Sequence, residues 1–397
     1  MLRLEGVPRH YAWGSTTAIA QLFSRAVDGR PLAELWFGAH ASAPSRATSA
    51  AVTGDLAALI EADPAGMLGE DVTARFGVEL PYLLKIIAAD RPLSLQVHPH
   101  LARARAGYAE ETAAGVPLDS PRRTYRDCNH KPELVFALTR FEALSGFRAP
   151  RRAAEILADL DSPVAKTLAE ILRDDPTASG VRTAFQWVLD PVSRPCADDV
   201  SDLVAACAAR LDRGSTSIRA DRNVVLLAEC FPGDPGVVTS LLLNPVTLQP
   251  GEAMFVPVGG VHAYLSGVAV EVMANSDNVL RAGLTAKHVD ATELLASVDY
   301  VAAPPVRIAP ELANGGTQVF YAPVDDFELS VSTVDDGQEH RIPGRGPRIV
   351  VCLDGAVDVR TGTEQLRLAA GEAAFVAAAD GPLTLTGRGR VVQADVP

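Results

Sequence analysis

Lysine is nearly absent from this chain: of 36 basic residues only Lys85, Lys131, Lys166 and Lys287 are lysine, and the other 32 are arginine. A sequence that uses arginine almost everywhere keeps lysine where a compact, deprotonatable ammonium is needed, because the planar guanidinium cannot replace it in a tight site. Positive charge is also in deficit, with 49 acidic side chains leaving a formal charge of −13. That excludes the basic stripe of a nucleic-acid binder, though not a small anion held by a few local cations. Cysteine is scarce and odd in number, and Cys128, Cys196, Cys207, Cys230 and Cys352 show no C-x-x-C spacing. Neither a disulfide framework nor a cysteine zinc site follows, and each is expected as a small buried apolar residue. No apolar run approaches the roughly 18 residues of a membrane span. The first residues, MLRLEGVPRHYAW, lack the apolar core of a secretion signal, so a cytoplasmic protein without membrane partners is expected.

What is present is an ordinary globular composition, 48% apolar and 21% charged over 397 residues, enough for two or three domains. Residues 1–148 and 232–310 read as β-rich. Tyr82 to Ala89 is a short apolar run, and Leu93, Leu95 and Val97 alternate with Ser94, Gln96 and His98, the period of a strand. Residues 149–231 change to helical spacing (Ile156, Leu157, Leu160; Leu203, Val204, Cys207, Leu211), which predicts an insertion of four or five helices. Ser162-Pro163 and Asp175-Pro176 have the form of an N-cap followed by proline at the first helical position. From 311 to 397 period two returns, and Asp354-Gly355 predicts a hairpin turn. GEAMFV at Gly251–Val256 is echoed as GEAAFV at Gly371–Val376. In the second copy His262 falls on Pro382, so this β module has no ligand there.

The chemistry gathers in three segments. Gln96 and His98 share one strand face, Lys131 and Glu133 share another, and Gly251-x5-Pro257-x-Gly259-x2-His262 describes a turn, a strand, a tight turn and a ligand. Gln96, His98, Glu133 and His262 supply two nitrogens and two oxygens to a divalent ion. Such a set suits Zn2+, with manganese, iron or cobalt as substitutes, and its low charge leaves room for exogenous oxygens at a Lewis acid. Tyr264, Trp13 and Trp36 are available to line a sugar pocket or a core.

Taken in order, YAWGS (11–15), LWFGAH (35–40), LSLQVHP (93–99), NHKPEL (129–134), the glycine–proline–histidine motif running into HAY (251–264), and SDNVLRAGLTAKHVD (276–290) resemble the type I mannose-6-phosphate isomerases. The resemblance covers residues 1 to about 305 and implies a mainly β fold with a helical insertion. It comprises two cupin-type jelly rolls, a catalytic one and a degenerate C-terminal one. It implies one Zn2+ per chain on Gln96, His98, Glu133 and His262, a catalytic Arg281, a monomer, and a sugar-phosphate substrate. Interconverting mannose 6-phosphate and fructose 6-phosphate through a cis-enediol requires a base at the carbon next to the carbonyl, a positive group for the enediolate, and an acid/base pair to open the ring. Candidates are His130, Lys131, Lys85 and Asp277. Arg148, Arg281 and Lys287 are candidate phosphate anchors, with Ser94 and Tyr264 as further substrate contacts. The chain departs from the family pattern at His100, at Ala286 and in Val258-Gly259-Gly260-Val261, all outside the ligand positions. Two competing readings are a non-catalytic metal-bearing cupin that binds a sugar phosphate, and an iron oxidoreductase, against which Gln96 as a ligand speaks.

Overall fold

A computed structural model describes residues 1–335, 338–362 and 364–397. Among them the strands assemble into two eleven-stranded antiparallel sheets. One contains Tyr82–Ala89, Glu133–Ala137, Ala253–Val256 and His262–Ala274, with Glu34–Phe37 and Val7–Arg9 at one edge and Val306–Ile308 at the other. The second is built on Glu328–Val334, Arg348–Arg360, Ala373–Val376 and Leu383–Asp395. The strands are apolar on both faces where they are sandwiched: Tyr82–Ala89 is buried along its whole length. Phe136 meets Phe320 edge to face at 5.3 Å, and one apolar core runs from Leu84, Val270 and Val272 to Leu329, Val351 and Phe375, joining the two sheets.

The longest strand of the first sheet, His262–Ala274, changes partners midway. Its first residues pair with Phe141–Phe147 and with Gln96 of Leu95–Val97, and its second half pairs with Tyr82–Ala89 and Glu133–Ala137. The switch falls at a register shift between Tyr264 and Ser266 and at Gly267, where φ is 115° and a Cβ would stand 2.5 Å from the Arg140 carbonyl oxygen. Only glycine permits that bend. The corner wraps the sheet so that His262, His98 and Glu133, from three strands or strand ends, face one interior volume.

Residues 150–230 form five helices, Pro150–Ala158, Pro163–Asp174, Ala178–Leu189, Ala197–Asp212 and Ile218–Cys230. Their apolar faces share a core with Leu95, Val97 and Leu280 of the first sheet. Ser162 precedes a helix with Pro163 at its first turn, as expected, but its hydroxyl makes no capping bond. Asp175 does not open the next helix. It ends the previous one and accepts from the Thr177 hydroxyl, while Thr177 is the N-cap.

Other expectations are corrected. Asp354-Gly355 is not a hairpin turn: the strand runs unbroken from Arg348 to Arg360, and Gly355, at φ 71°, follows a bulge in its pairing with Leu383–Asp395. The first 148 residues contain helices that period-two reading misses, among them Leu56–Ala62, Glu70–Phe76 and Leu101–Ala113. Leu2–Leu4 pairs with Ala373–Phe375, and Arg46–Thr48 pairs with it in turn, so the beginning of the chain completes the sheet of its end. Only Cys207 and Cys352 are buried cysteines; Cys128 and Cys196 are exposed and Cys230 is half-buried. The two echoed segments are equivalent strands, Ala253–Val256 and Ala373–Val376, each preceded by a glycine at positive φ, Gly251 at 90° and Gly371 at 80°.

Candidate metal centre and active site

Glu133 opens its strand directly after Pro132, and its carboxylate sits between two fully buried imidazoles. His98 Nε2 lies 3.1 Å from Oε1 and His262 Nε2 lies 3.4 Å from Oε2. The other ring nitrogens are committed: His98 Nδ1 donates to the Asn278 carbonyl at 2.8 Å, and His262 Nδ1 to the Gly260 carbonyl at 3.0 Å. A carbonyl only accepts, so the proton is on Nδ1 and each Nε2 presents a lone pair. Burial, followed by the nearby Lys131 charge, pushes His98 down to about 4, so it stays neutral in ordinary buffers. Both Nε2 atoms are buried without a hydrogen-bond partner. Two lone pairs aimed at a carboxylate repel unless a cation lies among them, and the three donor groups fall within 4.8 Å of one another. The carbonyl contacts to Nδ1 are the orienting bonds a metal-bound histidine takes. Gln96, opposite His262 on one side and Arg281 on the other in the sheet register, lines the same volume.

Around this cluster lies a cavity of about 520 Å³. Its walls include Trp13, Trp36, Lys85, Ser94, Lys131, Tyr264, Asp277, Arg281 and Lys287. Lys131 Nζ is 3.1 Å from Glu133 Oε1, and the Tyr264 hydroxyl donates to Glu133 Oε2 at 3.0 Å. Burial alone raises a carboxyl, but the Lys131 ammonium outweighs it and holds Glu133 well below the usual range, ready as an anionic ligand. Lys85 Nζ donates to Glu271 at 2.9 Å, lies 3.9 Å from Glu34, and faces the Trp36 ring at 5.2 Å. Burial works against its charge, yet Glu271, Glu34 and Glu133 raise the ammonium above its ordinary value, so Lys85 stays protonated. Arg281 is lowered by burial and by Arg126, and Lys287 by burial, Arg281 and Arg126. A wall of like charges pressed together is a site short of an anion.

Asp277 stands at the rim, 41% exposed, with His40 Nε2 3.4 Å behind it. Its loop is tied down by Asp127, which accepts from the Ser276 hydroxyl, the Asp277 amide and the Asn278 side chain; Asn278 also donates to the Asn129 carbonyl. Cys230 and Phe231, at the end of the helical insertion, complete one side of the cavity.

Two expected site residues are not brought here. His130 turns away and bonds both oxygens of Asp326 at 3.0 and 3.1 Å, linking its loop to the C-terminal sheet region. Arg148 donates to the carbonyls of Leu241 and Leu243, an intramolecular brace outside the cavity wall. Glu271, Glu34, Asp127 and His40 escape sequence reading. Glu271, a single acid in GVAVEVMA, is the one with a visible signal, since a charge inside an apolar strand needs a buried partner.

The fold and this cluster define a cupin-type β protein with a candidate metal centre in its cavity. Residues 1–150 match the model of the phosphomannose isomerase type I catalytic domain, and residues 316–396 that of the mannose-6-phosphate isomerase cupin domain. Mannose-6-phosphate isomerase from Escherichia coli (strain K12) is 42% identical over 99% of each chain, and mannose-6-phosphate isomerase 1 from Arabidopsis thaliana 31% identical over 95% of this chain and 89% of its own. Among solved structures, a zinc-bound mannose 6-phosphate isomerase superposes with a TM-score of 0.89 at 39% identity, and the apo form from Salmonella typhimurium with 0.90 at 38%, each covering 100% of this chain and 99% of the other. The chain belongs to the type I phosphomannose isomerase family.

Proposed function

We propose that this chain interconverts D-mannose 6-phosphate and D-fructose 6-phosphate through a cis-enediol, with one Zn2+ per chain on Gln96, His98, Glu133 and His262. The observation that carries the reading is the pair of buried, partnerless Nε2 atoms facing Glu133 at the edge of a cavity that also exposes Arg281 and Lys287. It is supported by the relatives, each named as an enzyme of that activity. When bound, the ion supplies Lewis-acid stabilisation of negative charge on the substrate oxygens.

The protein's own groups divide the remaining work. Arg281 and Lys287 meet the phosphate and the developing enediolate as permanent or near-permanent cations, and Ser94 adds a hydroxyl. Lys85, kept protonated by Glu271 and Glu34, donates hydrogen bonds and does not act as the base. Lys131 is the lysine held against the metal cluster, and Asp277, backed by His40, is the carboxylate at the rim; these two are the proton-transfer candidates. Tyr264 orients Glu133 in addition to lining the cavity. Five cysteines without a disulfide among the described residues support a reducing, cytoplasmic location.

A coupled assay of fructose 6-phosphate formation from mannose 6-phosphate tests the reading on protein as purified, stripped by a chelator, and restored with zinc. Activity lost on stripping and regained with zinc is expected. Metallated protein that binds the sugar phosphate without turning it over contradicts the reading.

A further inference from the structure

Residues 283–287 form a thin partition. Leu284, Thr285, Ala286 and Lys287 line the main cavity on one side, while Thr285 and Lys287 also line a second cavity of about 290 Å³ behind it. At Thr285 and Lys287, which have open space on both faces, packing gives little positional support. Its backbone is strained as well: Leu284 is a non-glycine residue at φ 54°, with its side chain buried in the core of the helical insertion. Such a conformation persists only where the surroundings over-determine it.

The determining contacts come from the segment that leaves the helical insertion. Gly236 and Gly283 lie back to back, so that a Cβ on Gly283 would stand 2.8 Å from Gly236 Cα and one on Gly236 would stand 2.7 Å from the Leu284 amide nitrogen. Between them the Asp234 carboxylate accepts from the Gly236 amide at 2.7 Å and from the Thr285 amide at 3.1 Å. The Thr285 hydroxyl in turn accepts from the Lys287 amide at 3.1 Å. A continuous set of hydrogen bonds thus joins the exit of the helical insertion to Lys287.

We infer that Asp234 is a positioning residue: its carboxylate clamps the 283–287 wall to the helical insertion and so places Lys287 for the anionic end of the substrate. The inference rests on the sugar-phosphate reading above. An Asp that merely started the short helix Gly236–Thr239 needs only the Gly236 bond; the bond to Thr285, 51 residues away in sequence, serves the wall. Arg281 is held separately, by its strand pairing opposite Gln96. The clamp therefore acts on phosphate capture more than on the chemical step.

The test compares zinc-loaded wild type with Asp234→Ala and Asp234→Asn. Affinity for inorganic phosphate is read by calorimetry, KM and kcat by the coupled assay, and zinc content by metal analysis. Loss of a charge-assisted clamp predicts phosphate affinity and KM worse by about tenfold or more in Asp234→Ala, with kcat changed several-fold less and zinc content intact. Asp234→Asn, which keeps one acceptor oxygen, falls between. If Asp234→Ala does not fold, Gly283→Ala leaves the carboxylate in place but wedges the wall from Gly236, and the same KM-weighted loss is expected. Phosphate affinity and KM within twofold of wild type in the folded variants overturn the inference, as does a loss that only tracks zinc. Wild type that binds phosphate but never isomerises contradicts the proposed function while the phosphate comparison still decides the clamp. Wild type that fails to bind phosphate overturns the clamp.

Discussion

At the scale of single residues, the two imidazoles are preset by carbonyl acceptors on the Nδ1 side and left unpaired on the Nε2 side, where a bound cation would complete them. Removing the metal therefore leaves a pH-dependent liability. The folded value of His98, about 4, lies below the ordinary 6.5, so between those values the unfolded chain binds the extra proton and stability falls as pH falls. Metal-stripped protein is expected to lose up to about 3 kcal/mol from this group between pH 6.5 and 4, and His98→Gln to flatten that slope. Urea unfolding of both stripped proteins across this window checks it; equal slopes contradict the assignment. The proposed ligand positions are legible in the sequence because strand alternation puts Gln96 and His98 on one face and because a tight glycine turn precedes His262. His130 and Arg148 mislead for a physical reason: sequence adjacency to Lys131 and to a strand end says nothing of direction, and Asp326 and two carbonyls claim those side chains.

Among the elements, the helical insertion depends on more than its apolar stripe. Arg210, on Ala197–Asp212, forms a two-pronged pair with Asp221, on Ile218–Cys230, at 2.9 and 2.6 Å, and Ser215 donates to the same carboxylate at 2.6 Å. Arg210 also donates to the Ile156 carbonyl at 2.6 Å, so three of the five helices meet at one buried ion pair. Asp221→Ala leaves a buried guanidinium without its counter-charge and is expected to cost about 3–5 kcal/mol, read as a lowered denaturant midpoint. A change under about 1 kcal/mol contradicts a buried pair. The five helices themselves are legible from 3.6-residue spacing. The helix Leu101–Ala113 is not, because alanine, arginine and glutamate dominate it and leave no strong apolar stripe. The Asp354-Gly355 hairpin signal fails because a bulge uses the same left-handed glycine as a turn, and only the cross-strand partners distinguish them.

Over the whole molecule, the two sheets share a core, and residues from both ends of the chain complete one of them. Leu2 pairs with Phe375, a contact no local pattern announces, since antiparallel edges are chosen by tertiary packing and not by periodicity. The repeated glycine-led strand, by contrast, is legible as an internal echo and marks the equivalent position in both sheets. The His130–Asp326 contact and the Tyr82 hydroxyl bonds to the Pro347 and Ala394 carbonyls tie the sheet that lacks the ligand set to the chain segments that carry Lys131 and Lys85. This architecture converges on the candidate metal centre of His98, Glu133 and His262, to which the proposed function assigns one zinc per chain. The most direct measurement is a titration of metal-stripped protein with zinc, following isomerase turnover against equivalents added. A linear rise that breaks at one equivalent per chain is predicted, with no rise in His262→Ala. Full turnover without metal, or a break at a different stoichiometry, contradicts the account.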